Sequence, residues 1–189
     1  MRTVLILLAL ALSGAVRADA ADPADAGAAP ELLEQVRAGF GQASESIVTT
    51  RELLRLLAAE LPGDRAAWPP VLRAYHAALQ AVMGKHALGP WQKYRRVKVG
   101  LAEFDGLAEA FPDSLEIRML RYSTCRQLPE FFGTHPQAAA DLAALLDMFE
   151  RNADSNVPAP LRHGYIRWIL DHGQPAPGQR TRLEKLLGP

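Results

Sequence analysis

Apolar side chains recur at Leu32, Val36, Phe40, Ile47, Leu54, Leu57 and Leu61, close to the period of an amphipathic helix. Gly39 and Gly41 weaken the middle of this run, which predicts two helices with a break near Gly41 and a second start between Ser44 and Thr50. Thr49 with Glu52 three residues on offers a capping box for that start. Leu61-Pro62-Gly63-Asp64 stops the segment. Trp68-Pro69-Pro70 then forces an extended entry, because a residue before proline is pushed out of helical geometry. Val71, Leu72, Tyr75, Ala78, Leu79, Val82 and Met83 form a broad apolar stripe that ends near Gly84. Pro90 opens a further helix through Trp91, Tyr94, Val97, Leu101, Phe104, Leu107 and Phe111, and Pro112 ends it.

Asp113 and Glu116 have the spacing of a capping box for the next helix, and both charges suit the positive end of its dipole. That helix carries two apolar faces: Ile117, Leu120, Thr124 and Leu128 on one side, Leu115, Met119 and Tyr122 nearly opposite. It is therefore expected to lie between neighbours. Pro129 stops it, and Phe131-Phe132-Gly133 makes a turn whose two rings are expected in the core. Pro136 begins a helix through Leu142, Leu145, Leu146 and Phe149, and 152–160 reads as a loop. Tyr165, Ile166, Trp168, Ile169 and Leu170 mark a helix ending at Gly173, and Gly178 to Leu187 a short last one. No segment has the two-residue period of a strand. The expected fold is all-α, antiparallel helical hairpins forming a short stack or an α-bundle.

The first twenty residues change the picture of where such a fold works. Arg2 supplies a positive start, Val4 to Leu12 is an unbroken apolar run, and Ala18-Asp19-Ala20 places small residues where a signal peptidase reads. The expected organisation is a signal peptide over 1–20, a disordered small-residue leader over 21–30, and one helical domain over 31–189. The apolar run is too short to span a bilayer, which takes about twenty residues, and no cysteine near the cleavage point offers a lipid anchor. The Ala-, Leu- and Arg-rich composition suits a bacterial source, and the expected location is periplasmic or secreted, with no membrane span after cleavage. Removing 1–20 takes away Arg2, Arg17 and Asp19 and leaves 19 basic and 20 acidic residues, so no global field steers nucleic acid to the chain. About 169 residues suffice for one core without staples. Cys125, the one cysteine, has no disulfide partner in the chain and is expected to be buried.

The sequence contains no recognisable catalytic motif. His76, His86, His135, His163 and His172 have no pair at helical metal-ligand spacing, and no zinc or redox cysteine motif is present, so neither a metal nor a cofactor is expected. No serine stands in a G-x-S-x-G context, and Cys125 has no neighbouring histidine. The clearest local charge feature is Lys85, His86, Lys93, Arg95, Arg96 and Lys98 gathered around Trp91 and Tyr94. This region suits anionic lipid head groups, polysaccharide or an acidic partner, or else is a charged face that keeps the protein soluble. Tyr75 beside His76 is a possible pocket pair. Arg121 falls on the apolar side of its helix and must find an acceptor on another helix or on a ligand carboxylate or phosphate.

Phe104, Leu107 and Pro112 sit at the spacings of the second half of a tetratricopeptide repeat, and the next helix begins straight afterwards. The segment resembles that family in part: Gly100 and Leu107 replace its usual small residues, Leu88-Gly89-Pro90 interrupts the front half, and no second copy follows at 34 residues. From Val71 to Gly133, the order Ala74-Tyr75, Ala78-Leu79, Lys85, Pro90, Phe111-Pro112-Asp113, Glu116-Ile117-Arg118, Leu120-Arg121, Pro129 and Phe132-Gly133 also resembles an uncharacterised family of bacterial helical proteins. That resemblance implies a helical hairpin, a capped helix and a proline-aromatic turn, with no assigned activity. The expectation is a non-catalytic exported module that binds a protein or peptide. Its alternatives are an envelope-surface protein using the basic patch and a small enzyme without a known motif. The candidate binding residues are Tyr75, Lys93, Arg95, Arg96, Arg118 and Arg121.

Overall fold

Prolines set the punctuation of this chain, because a proline in the first helical turn loses no hydrogen bond and arrives with helical φ. The computed structural model describes residues 30–154 and 156–188, which form eight α-helices and two 3₁₀ turns with no strand among them. The helices are α1 (Pro30–Ala43), α2 (Ile47–Glu60), α3 (Pro70–Lys85), α4 (Pro90–Ala110), α5 (Leu115–Gln127), α6 (His135–Glu150), α7 (Ala159–His172) and α8 (Pro177–Leu187). The 3₁₀ turns are Arg65–Ala67 and Glu130–Phe132. Proline occupies the first or second position of α3, α4, α6, α7 and α8. The expected signal peptide and all but the last residue of the expected leader lie outside the described residues. Pro30 itself belongs to α1.

α2 starts inside the range expected for it, but the caps of α2 and α5 differ from expectation. Ser46, rather than Thr49, caps α2 by accepting the Thr49 N–H at 3.2 Å. At α5 the cap is Ser114 instead of Asp113, and Asp154 reaches in from the loop after α6 to accept the Leu115 N–H at 3.0 Å. Glu116 does not close a capping box there, because its carboxylate turns to the interior where stronger donors take it.

α1, α3 and α5 contact one another in succession, with α2, α4 and α6 each laid against its predecessor and α8 packed on α6 and α7. The protein is thus an all-α stack of helical pairs. α3 and α4 approach closely: a Cβ on Gly100 would stand 2.7 Å from the Ala77 carbonyl oxygen, so only glycine admits this spacing.

The single core expected from chain length is divided in two by α5. Ile117 and Leu120 join a cluster made by α1, α2, α3, Phe104 and Leu107. Leu115, Met119, Tyr122 and Cys125 join a second cluster with α6, Ile166, Ile169 and Leu183. These are the two apolar faces visible in the sequence, except that Leu128, expected beside Ile117 and Leu120, packs against the second cluster. Cys125 is buried, and burial followed by the nearby Asp141 charge pushes its thiol up to about 12, which leaves it protonated and unreactive at neutral pH.

Candidate functional site

α5 lies between two cores, so any charged group on its flanks must be neutralised by other helices. Glu116, 1% exposed, is met from three of them. Arg37 of α1 forks onto its carboxylate, with Nε 3.0 Å from Oε1 and a terminal nitrogen on Oε2. Tyr75 of α3 donates its hydroxyl to Oε1, and Tyr165 of α7 donates to the same oxygen from 3.2 Å. Burial raises both phenols well above their ordinary range, reinforced at Tyr75 by Tyr165 and Glu116 and at Tyr165 by the Glu116 charge, so both hydroxyls stay protonated donors. Burial alone would lower the Arg37 pKa, but the hydrogen bond and charge of Glu116 outweigh it and raise it.

One turn further along α5 a second knot forms. Arg121 places Nε 2.8 Å and Nη2 2.6 Å from the two oxygens of Asp141 on α6, and Nη1 3.3 Å from Asp105 on α4. Its pKa is raised, chiefly by the hydrogen bond to Asp141. Arg118 shares Asp141 at 3.0 Å and donates to the Pro112 carbonyl at 2.7 Å. The acceptor that Arg121 requires is therefore a carboxylate from another helix.

A third group is built on Glu103 of α4. Arg73 approaches it at 3.2 Å, Arg65 at 3.8 Å and the buried His76 ring at 3.6 Å, with Trp68 edge-on to that ring. Burial raises the Glu103 pKa, but the neighbouring His76 ring, the Arg73 hydrogen bond and the Arg65 charge hold it below its ordinary value. His76 is thus buried beside Glu103 and 3.2 Å from the Gln80 side chain, a hydrogen-bonded histidine and not a solvated one. A cavity of about 330 Å³ beside Tyr122, His135 and Gln174 contains Arg126, whose guanidinium is already held by the Gly173 carbonyl and the Gln174 side chain. Among the described residues no three His, Cys, Asp or Glu side chains gather as a metal site.

The remaining candidates lie elsewhere. Lys93, Arg95 and Arg96 are exposed on α4, far in sequence and character from the buried Tyr75. Around them is an uncovered apolar surface: Leu88 is 101% exposed in the α3–α4 connection, Trp91 68%, Tyr94 39% and Phe131 76%. Trp91 stacks on Tyr94 at 6.0 Å, Tyr94 on Phe132 at 5.7 Å, and Phe131 lies 4.5 Å from Phe132. The Lys98 ammonium sits 5.8 Å from the Tyr94 ring centre. Phe131 is outside the core, contrary to expectation, because the Glu130–Phe132 turn carries it onto this surface row.

No family model, curated protein or solved structure matches this chain.

The six candidate residues therefore fall into three places. Tyr75 serves the Glu116 knot, Arg118 and Arg121 serve Asp141, and Lys93, Arg95 and Arg96 flank the aromatic row. Sequence reasoning missed Leu88 and Phe131 as surface residues. The available signal was their position: large apolar side chains in turns, outside any helical stripe, next to Gly89-Pro90 and Gly133.

Proposed function

We propose that the protein is an exported, non-catalytic helical recognition module of the bacterial envelope, with the α3–α4 turn and the Glu130–Phe132 turn as its working face. The observation that carries this reading is the exposed set of Leu88, Trp91, Tyr94 and Phe131, its rings joined through the half-buried Phe132, with Lys93, Arg95, Arg96 and Lys98 on the same helix as Trp91 and Tyr94. An aromatic row uncovered to this degree is more than scattered surface apolarity and marks a place where a partner excludes water. Export is supported by the charged start, apolar run and small-residue cleavage pattern of the first twenty residues. The succession of α1, α3 and α5 supports the tetratricopeptide-like resemblance, a fold commonly used for binding. The buried arginines, tyrosines and carboxylates support a structural task, since each is engaged with another helix.

The test is co-sedimentation of the full chain with a bacterial envelope fraction that contains membrane, polysaccharide and envelope proteins. Wild type is retained, and the triple variant Leu88→Ser, Trp91→Ser, Phe131→Ser loses roughly tenfold or more in retention. Its unfolding free energy stays within about 0.5 kcal/mol per substitution, as befits exposed positions. Equal retention of both proteins refutes the working face.

A further inference from the structure

What surrounds the α3–α4 turn identifies its ligand. Between Asp64 and Glu103 the chain has no acidic residue, yet it carries Arg65, Arg73, Lys85, Lys93, Arg95, Arg96 and Lys98. Arg65 and Arg73 lean on Glu103. Lys93, Arg95, Arg96 and Lys98 are exposed, and among the described residues none of them makes an ion pair. The acid closest in sequence to the aromatic row is Glu130, beside Phe131. The turn thus combines two features: large apolar side chains left exposed at its tip, and four cations without an ion pair just behind them on α4.

We infer that this turn docks on the surface of an anionic lipid bilayer. Leu88, Trp91 and Phe131 enter the head-group boundary, and Lys93, Arg95, Arg96 and Lys98 meet the lipid phosphates. The inference rests on the recognition-face reading above and names its ligand. Indole and phenol rings settle at head-group depth because one part of each is apolar and another forms hydrogen bonds. Long cationic side chains lay their methylenes along apolar surface while the charge stays at the interface. An anionic surface attracts such cations within a Debye length, so the attraction is lost as salt rises. Trp91, Tyr94 and Lys98 follow one another at three- and four-residue spacing, which puts apolar and cationic groups in order along one stripe of α4. No helix among the described residues is long and apolar enough to cross a membrane.

The test uses the full chain with protein-free vesicles of phosphatidylcholine alone or with about 30% phosphatidylglycerol. The apolar run at 4–12 is common to every variant, so differences between variants report the turn. Wild type binds the anionic vesicles at least about tenfold more tightly than the neutral ones, and the preference falls with added salt. Bromine placed on the upper acyl chain quenches tryptophan fluorescence in wild type more than in Trp91→Phe, which locates Trp91 in the boundary. Both Leu88→Ser, Trp91→Ser, Phe131→Ser and a variant with Lys93, Arg95, Arg96 and Lys98 all changed to Gln bind at least about tenfold less. Equal binding to both vesicle types, or quenching that Trp91→Phe does not reduce, overturns the bilayer as ligand. Retention by the envelope fraction without vesicle binding also overturns it while leaving the working face standing, and points to polysaccharide or an acidic protein. Self-association that the triple variant abolishes, without vesicle binding, assigns the face to a second copy of the chain. Loss of both envelope and vesicle binding removes the recognition-face reading itself.

Discussion

The Glu116 knot and the α3–α4 turn are made from similar parts, aromatic rings and basic side chains, and end in opposite environments. At Glu116, Arg37, Tyr75 and Tyr165 converge on a carboxylate, and the set is buried between the two cores. At the turn, Trp91, Tyr94, Phe131 and four cations share no carboxylate, and the set is exposed. The difference is one of solvation. A guanidinium leaves water only where a partner replaces its hydration, so a cation without one keeps its neighbours at the surface too. The carboxylate decides which cluster holds the fold and which is left for something else.

The comparison is broken most severely by Glu116→Ala. It removes the acceptor of two buried phenols and leaves Arg37 with only the exposed Glu34, 2.7 Å from its Nη1, and is expected to cost about 3–5 kcal/mol in urea unfolding. Arg37→Met should cost less in the Glu116→Ala background than in wild type, because the charge it removes has by then lost its buried partner and keeps only the exposed Glu34. A Glu116→Ala protein within about 1 kcal/mol of wild type would mean that the knot is incidental to stability.

The second expected effect is smaller because its acceptor keeps a donor. Arg121→Met removes two hydrogen bonds to Asp141 and one to Asp105, yet Arg118 stays on Asp141. The expected loss is about 1–3 kcal/mol, read from the same unfolding curves. Stability equal to wild type would return Arg121 to the ligand-binding reading.

Much of this architecture is legible in the sequence because proline and side-chain period act locally. The proline-led starts of α3, α4 and α6, the two faces of α5, and the need of Arg121 for an acceptor on another helix all follow from residues a few positions apart. The Glu116 knot does not. Arg37 lies 79 positions away and Tyr165 lies 49, and no local pattern joins them. The same distance explains the cap of α5: Asp113 and Glu116 have the right spacing, but the interior donors outcompete the helix end for Glu116, and Asp154 covers the opening that remains. The basic cluster at the turn was visible as composition. Its aromatic row was not, because Phe131 and Phe132 join Trp91 and Tyr94 only once the Glu130–Phe132 turn is folded against α4.

Glu103 tests the comparison most finely, since it sits on the same helix as the exposed cations and is nevertheless paired. Its pKa in the folded chain is below the ordinary 4.5: burial works against ionisation, but His76, Arg73 and Arg65 outweigh it. A depressed carboxylate contributes stability that is complete above its unfolded pKa and is lost as pH falls through the folded value. The stability difference between wild type and Glu103→Gln should therefore be greatest above about pH 4.5 and shrink towards more acid solution. Urea unfolding of both proteins between pH 7 and pH 3 measures it, and the subtraction removes the other carboxylates that protonate over the same range. A difference that stays constant throughout would show that Glu103 is held by packing and not by its cations. Its half-buried cluster would then belong with the solvated charges of the turn instead of with the Glu116 knot.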